Sequence, residues 1–159
     1  MEMTMMILKD IKEYTKQRKA ELKEQVSAMA AAPRLAIIQV GTVEASTRYV
    51  RNKIKDCEEV GIDAHWYGYE DTYTTEDLVV EIQDLVPFYD GLIVQLPLPK
   101  HIDADKVLAA IPKEKDVDGF RIDSPFNPAT PQGIMNYLAY CGFEFRGAHA
   151  VVIGRSDIV

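Results

Sequence analysis

The chain has 159 residues, 47% of them apolar, 27% charged and 9% aromatic, with 18 Lys+Arg against 25 Asp+Glu for a net charge of -7. That length suits one domain, or one domain with a fragment of another, and the apolar share is enough to bury a core. The acidic balance excludes general nucleic-acid binding, which calls for a basic face, and no apolar run approaches the roughly 18 residues needed to span a membrane. The first residues, MEMTMMILKDIK, lack the basic and long apolar regions of a secretory signal, so a cytoplasmic protein is expected. Cys57 and Cys141 form no CxxC pair, and His65, His101 and His149 share no ligand spacing. Neither a disulfide framework nor a metal site is expected.

Between residues 8 and 29 the apolar positions Ile11, Tyr14, Leu22, Val26 and Met29 recur at threes and fours, which predicts an amphipathic helix stopped by Pro33. Residues 35–40 (LAIIQV) form a short apolar run of the kind found in strands covered on both faces. After Gly41 a second helix is predicted from Ser46, a good N-cap, to about Val60, with Val50, Ile54, Cys57 and Val60 on its apolar stripe and Gly61 as its stop. Residues 64–69 read as a strand, Thr74 with Asp77 as a capping box opening a helix through Leu78, Ile82 and Leu85, and Pro87 as its end. A third strand is predicted over residues 91–96 (GLIVQL), and Asp103 caps a short helix carrying Val107, Leu108 and Ile111.

This alternation predicts an α/β fold, a three-layer parallel sheet with helices on both faces. Residues 113–131 are polar, proline-bearing and without period, and read as a functional loop leading to an inter-domain helix. Thr130-Pro131 predicts a helix over residues 134–140, as a cap followed by proline at the first helical position, and residues 150–153 predict a fourth strand.

In parallel sheets ligands bind beyond the carboxyl ends of the strands, which directs attention to the residues after Val40 and Val94. Tyr49 and Lys53 lie four apart, on one helical face beside the core stripe. They are either an exposed pair or a phenol beside a lysine whose partial burial favours the neutral amine and hence proton exchange. Gln95 opens the segment Gln95-Leu96-Pro97-Leu98-Pro99. It either satisfies loose backbone groups or holds the lysine without fixing its charge, as a carboxylate would. Asp118, before Gly119, is either a turn residue or an acceptor for two N–H groups of a ligand's amidine-like ring. Gly154-Arg155-Ser156 after the fourth strand is either a plain strand end or the opening of a dinucleotide-binding turn.

Taken in order, these blocks resemble the bifunctional methylenetetrahydrofolate dehydrogenase/cyclohydrolase family. The resemblance rests on VGTVEASTRYVRNKIKDCEEVGI (residues 40–62), DGLIVQLPLPKHID (90–103), KDVDGF (115–120), PATPQGI (128–134) and AVVIGRSDIV (150–159). It implies oxidation of 5,10-methylenetetrahydrofolate with NADP, hydrolysis of the methenyl product to 10-formyltetrahydrofolate, and a homodimer. It further implies that Lys53 carries the proton in hydrolysis, that Gln95 tunes it, that Tyr49 packs on the folate's aromatic portion and that Asp118 holds the pterin-like ring. Val94, Leu96 and Pro97 would line the substrate site, and Gly154, Arg155 and Ser156 would open the cofactor-phosphate loop.

The resemblance divides the chain into a folate-binding catalytic domain (1–122), a linker loop and inter-domain helix (123–147), and the start of a Rossmann domain (148–159). Two departures stand out. Only RIDSPFN separates Phe120 from Pro128, where the family has a longer segment, and Ala129 replaces a common cysteine. With the family's second domain almost wholly absent after Val159, the expectation is weak NADP binding, a fourth strand that frays or pairs with another chain, and low residual cyclohydrolase activity. The competing expectation is a non-catalytic fragment that binds folate or dimerises.

Overall fold

The computed structural model describes residues 8–154, and its centre is a three-stranded parallel sheet. Strand β1 (Arg34–Val40) lies in the middle, with β2 (Asp63–Tyr69) on one side and β3 (Gly91–Val94) on the other. From Ala36 onward β1 is buried on both faces, as its apolar run demands. Strand alternation divides that run between two cores. Ala36, Ile38 and Val40, with Leu92 and Val94 of β3, meet Leu78 and Ile82 of α3 (Thr75–Leu85), Val107 of α4 (Ala104–Ala109) and Ile111 just beyond it. On the opposite face Ile37 and Ile93 meet Val50 of α2 (Glu44–Val60). The predicted layers are therefore present, with helices on both sides.

Local signals explain where several elements begin and end. The capping box is formed: Asp77 N–H donates to Thr74 Oγ1 at 3.2 Å and Thr74 N–H to Asp77 Oδ2 at 2.9 Å. Asp103 caps α4 by accepting from Lys106 N–H at 3.1 Å. Gly61, at φ 90°, closes α2 in the left-handed conformation that few other residues tolerate.

Four expectations need correction. Helix α2 starts at Glu44 with Val43 in the cap position, and Ser46 is buried within its first turn. The first turn closes with Thr47 N–H donating to Val43 O at 2.9 Å, and the Gln39 amide, facing α2 from β1, donates to Gly41 O at 3.2 Å and Thr47 Oγ1 at 3.0 Å. Strand β3 stops at Val94: Gln95 N–H still donates to Ile38 O at 2.8 Å, but Pro97 and Pro99 have no N–H with which to continue a ladder. Helix α5 runs Ala129–Tyr140, with Pro128 at its cap. Thr130 is already helical, and Pro131 falls in the first turn, where its missing N–H leaves no bond unmade. Residues 150–153 form no strand. Val151, Val152 and Ile153 are 73%, 78% and 96% exposed, and among the described residues no strand pairs with them, so their backbone groups have no ladder to join.

Helix α1 (Ile11–Ser27) has no buried residue and lies outside the sheet layers. Lys19 ties it to Asp56 and Glu59 of α2, both at 2.7 Å. The Tyr14 ring packs on Tyr137 and Tyr140 of α5 at centroid distances of 5.5 and 4.8 Å. Its apolar stripe thus covers other helices rather than the sheet.

Candidate active site

Parallel strands β1 and β3 end at the same edge of the sheet, so the chain segments leaving them face one another. Helix α2 follows β1 and presents Tyr49 and Lys53 there, one turn apart, because Val50 and Ile54 point into the core. Opposite stands the Gln95-Leu96-Pro97 segment. A cavity of about 370 Å³, mostly apolar, is lined by Tyr49, Lys53, Gln95, Leu96 and Pro97, with Ser46 at the helix end. Tyr49 is 64% exposed and forms an open wall.

Lys53 Nζ lies 3.8 Å from Asp118 Oδ2, with side-chain exposures of 34% and 16%. Burial pushes the Asp118 carboxyl above its ordinary range. The Lys53 charge pulls it back down, and Asp116 pushes it up again. Gln95 turns its amide N–H to Leu96 O at 2.7 Å, leaving Oε1 buried without a partner. An unpaired buried acceptor is costly, and Gln95 is among the residues that line the cavity. The site therefore offers an amine, a mostly buried carboxyl facing it, an amide and an aromatic wall.

Because folding raises the Asp118 pKa, the native state holds that proton more tightly than the unfolded chain does. Its contribution to stability accordingly falls as pH rises through the carboxylate range. Asp118→Asn is expected to be more stable than the wild type at neutral pH, and the gap should close in acid, where Asp118 is protonated in both states. Urea unfolding of both proteins at the two pH values measures this, and a gap that widens in acid contradicts it.

Most of the predicted site residues come together, with exceptions. Tyr49, Lys53, Gln95, Leu96 and Pro97 share the cavity, and Asp118 reaches it through Lys53. Val94 does not: it is 1% exposed and its side chain lies in the α3/α4 core, because the alternation that turns Ile93 toward α2 turns Val94 away. Gly154 stands in open space, with no atom of the described residues within 4 Å of where a side chain would begin, its chain neighbours aside. Arg155 and Ser156 lie outside the described residues. The sequence reading missed Gln39 and Asp116. Each is a polar residue buried to 2% exposure beside a site element, and for Gln39 the available signal was a lone amide inside an apolar strand.

Such an arrangement defines an α/β domain with a cavity at the carboxyl edge of a parallel sheet. Residues 9–118 match the family described as "Tetrahydrofolate dehydrogenase/cyclohydrolase, catalytic domain", and the chain belongs to that family. The Bifunctional protein FolD of Lysinibacillus sphaericus is 44% identical over 161 residues, covering 94% of this chain and 55% of that protein. The FolD of Burkholderia lata is 44% identical over 167 residues, 96% of this chain and 58% of that protein. The chain thus spans a little over half the length of these curated relatives. Among solved structures, the bifunctional FolD methylenetetrahydrofolate dehydrogenase/cyclohydrolase from Campylobacter jejuni superposes with a TM-score of 0.88 at 37% identity, covering 93% of this chain and 58% of that one. The Trypanosoma brucei N5,N10-methylenetetrahydrofolate dehydrogenase-cyclohydrolase, complexed with NADP cofactor and inhibitor, superposes with a TM-score of 0.87 at 29% identity, covering 96% of this chain and 57% of that one.

Proposed function

We propose that the chain carries the lysine-bearing half of a folate site. There 5,10-methylenetetrahydrofolate is oxidised with NADP to the methenyl cation, and that cation is hydrolysed to 10-formyltetrahydrofolate. The observation that carries this reading is the approach of Lys53 to Asp118, 3.8 Å apart, beside a cavity that also takes in Gln95 and Tyr49. Oxidation passes a hydride to NADP, and hydrolysis is the step in which these side chains move a proton.

In that step the Lys53 amine takes a proton from the water adding to the methenyl carbon. The resulting ammonium returns that proton to the ring nitrogen as its carbon–nitrogen bond breaks, while the hydroxyl on the same carbon loses its proton to solvent and becomes the formyl C=O, so the lysine ends as it began and one proton is released for the cation consumed. Gln95 Oε1, free of partners, accepts from the ammonium, and being neutral it leaves both protonation states accessible. Tyr49 packs on the aromatic portion of the folate, Asp118 receives the paired N–H groups of the pteridine, and Leu96 and Pro97 form the opposite wall. The same reading makes the enzyme a cytoplasmic homodimer.

Stopped-flow hydrolysis of 5,10-methenyltetrahydrofolate by this chain and by its Lys53→Ala variant tests the proposal. Equal rates in the two proteins, at equal folding, reject it.

A further inference from the structure

Asp116 is only 2% exposed and does not line the cavity, yet the turn that bears Asp118 is organised around it. A buried carboxylate is costly unless donors satisfy it, and Arg121 N–H donates to Asp116 Oδ2 at 2.9 Å. The carbonyl of the same residue accepts from Gly119 N–H at 3.1 Å and from the Ser124 hydroxyl at 3.0 Å. Asp116 is itself anchored, by an isolated parallel bridge to Leu92 at the edge of β3. Beside it, the Lys115 ammonium donates to Val86 O and Tyr89 O at 2.6 and 2.7 Å. The Arg121 side chain is held from outside, by Ala109 O at 2.8 Å and by Asp123, and so steadies the backbone N–H that reaches Asp116. Asp118 therefore hangs from a turn whose far side closes on one buried residue, and that residue is fixed to the sheet.

We infer that Asp116 is the positioning residue of this site: its buried carboxylate, which accepts from Arg121 N–H, and its backbone carbonyl, which accepts from Gly119 and Ser124, together close the turn of residues 116–124 and thereby hold Asp118 against Lys53. The inference rests on reading the Lys53–Asp118 pair as part of the folate site. It also explains how a segment of only seven residues, 121–127, serves beside Asp118: the segment folds back onto Asp116 instead of spanning free solvent.

The test titrates the Asp118 carboxyl of the full chain by carbon-13 NMR and does not depend on turnover. The charged groups acting on Asp118 are Lys53 of α2 and Asp116 of its own turn. Lys53→Ala is expected to move the Asp118 midpoint upward, since it removes the cation that favours the ionised form. In an Asp116→Asn background the amide oxygen still accepts from Arg121 N–H, so that displacement persists, although the midpoint itself lies lower because the neighbouring anion is gone. An Asp116→Ala background releases the turn, and the displacement falls to about half or less, the loss of coupling expected when a contact pair separates. Ser124→Ala, at a partly exposed position, cuts one of the turn's bonds without touching the core. It is expected to reduce the displacement too, and it decides the matter if Asp116→Ala does not fold. An undiminished displacement in Asp116→Ala, or in Ser124→Ala when the former is unfolded, overturns the inference and leaves the site reading standing. No displacement in the wild type overturns the Lys53–Asp118 site itself.

Discussion

Lys53→Ala is expected to slow hydrolysis of 5,10-methenyltetrahydrofolate roughly 10²–10⁴-fold, the range over which a positioned acid–base group contributes. The loss falls on proton transfer and not on folding. Lys53 is one-third exposed and contributes one ion pair at 3.8 Å, a partly solvated contact of a kind worth at most about 1 kcal/mol. Lys53→Arg separates the two roles an amine plays here. A guanidinium keeps the positive charge facing Asp118, so folate binding should survive, but it does not give up its proton at any ordinary pH. The arginine variant should therefore bind the substrate with a near-normal KM and turn over as poorly as Lys53→Ala. If Lys53→Arg recovers most of the rate, the residue acts as a fixed charge and the proton-carrying mechanism fails.

The elements that place this lysine were legible from local chemistry, and those that place its partners were less so. Periodicity showed the core stripe of α2 through Val50 and Ile54, and with it the side on which Tyr49 and Lys53 emerge. The capping box of α3 was readable because Thr74 and Asp77 satisfy each other within one turn. Ser46 misled because a serine is a good cap by composition, whereas the helix starts two residues earlier without a side-chain cap, its first turn closed by Thr47 N–H on Val43 O and bonded by the Gln39 amide from β1. Thr130 misled in the same way, Pro128 having taken the cap position. Residues 150–153 have the composition of a strand and find no pairing strand among the described residues, and a strand is a property of the ladder rather than of its sequence. Val94 was assigned to the site by its place in a motif, but strand alternation gave it to the core. Asp116 and Asp118 share one short motif, and only burial separates the residue that faces the lysine from the one that builds the turn beneath it.

Gly119→Ala should be the most damaging single-methyl change in that turn. Gly119 has φ +68°, where a side chain on an L-residue meets its own backbone, a cost of about 1–2 kcal/mol. A Cβ there would also lie 2.7 Å from Phe126 O and Asn127 C and 2.8 Å from Pro128 N. All three are backbone atoms, which cannot rotate aside as a side chain can, and forcing a methyl group into filled space costs typically 1–3 kcal/mol. Together these give an expected loss of roughly 2–5 kcal/mol in urea unfolding. Part of the strain can be relieved by moving residues 116–120 away from residues 126–128, and that motion carries Asp118 off Lys53. The variant should therefore raise the KM for methenyltetrahydrofolate as well as lower stability. Gly133 provides the contrast within α5: a Cβ there meets nothing within 4 Å, so Gly133→Ala should stabilise the helix by about 0.5–1 kcal/mol and leave KM alone. Equal stability and equal KM in Gly119→Ala and the wild type would mean that the 116–128 turn is not packed as described and does not set the position of Asp118.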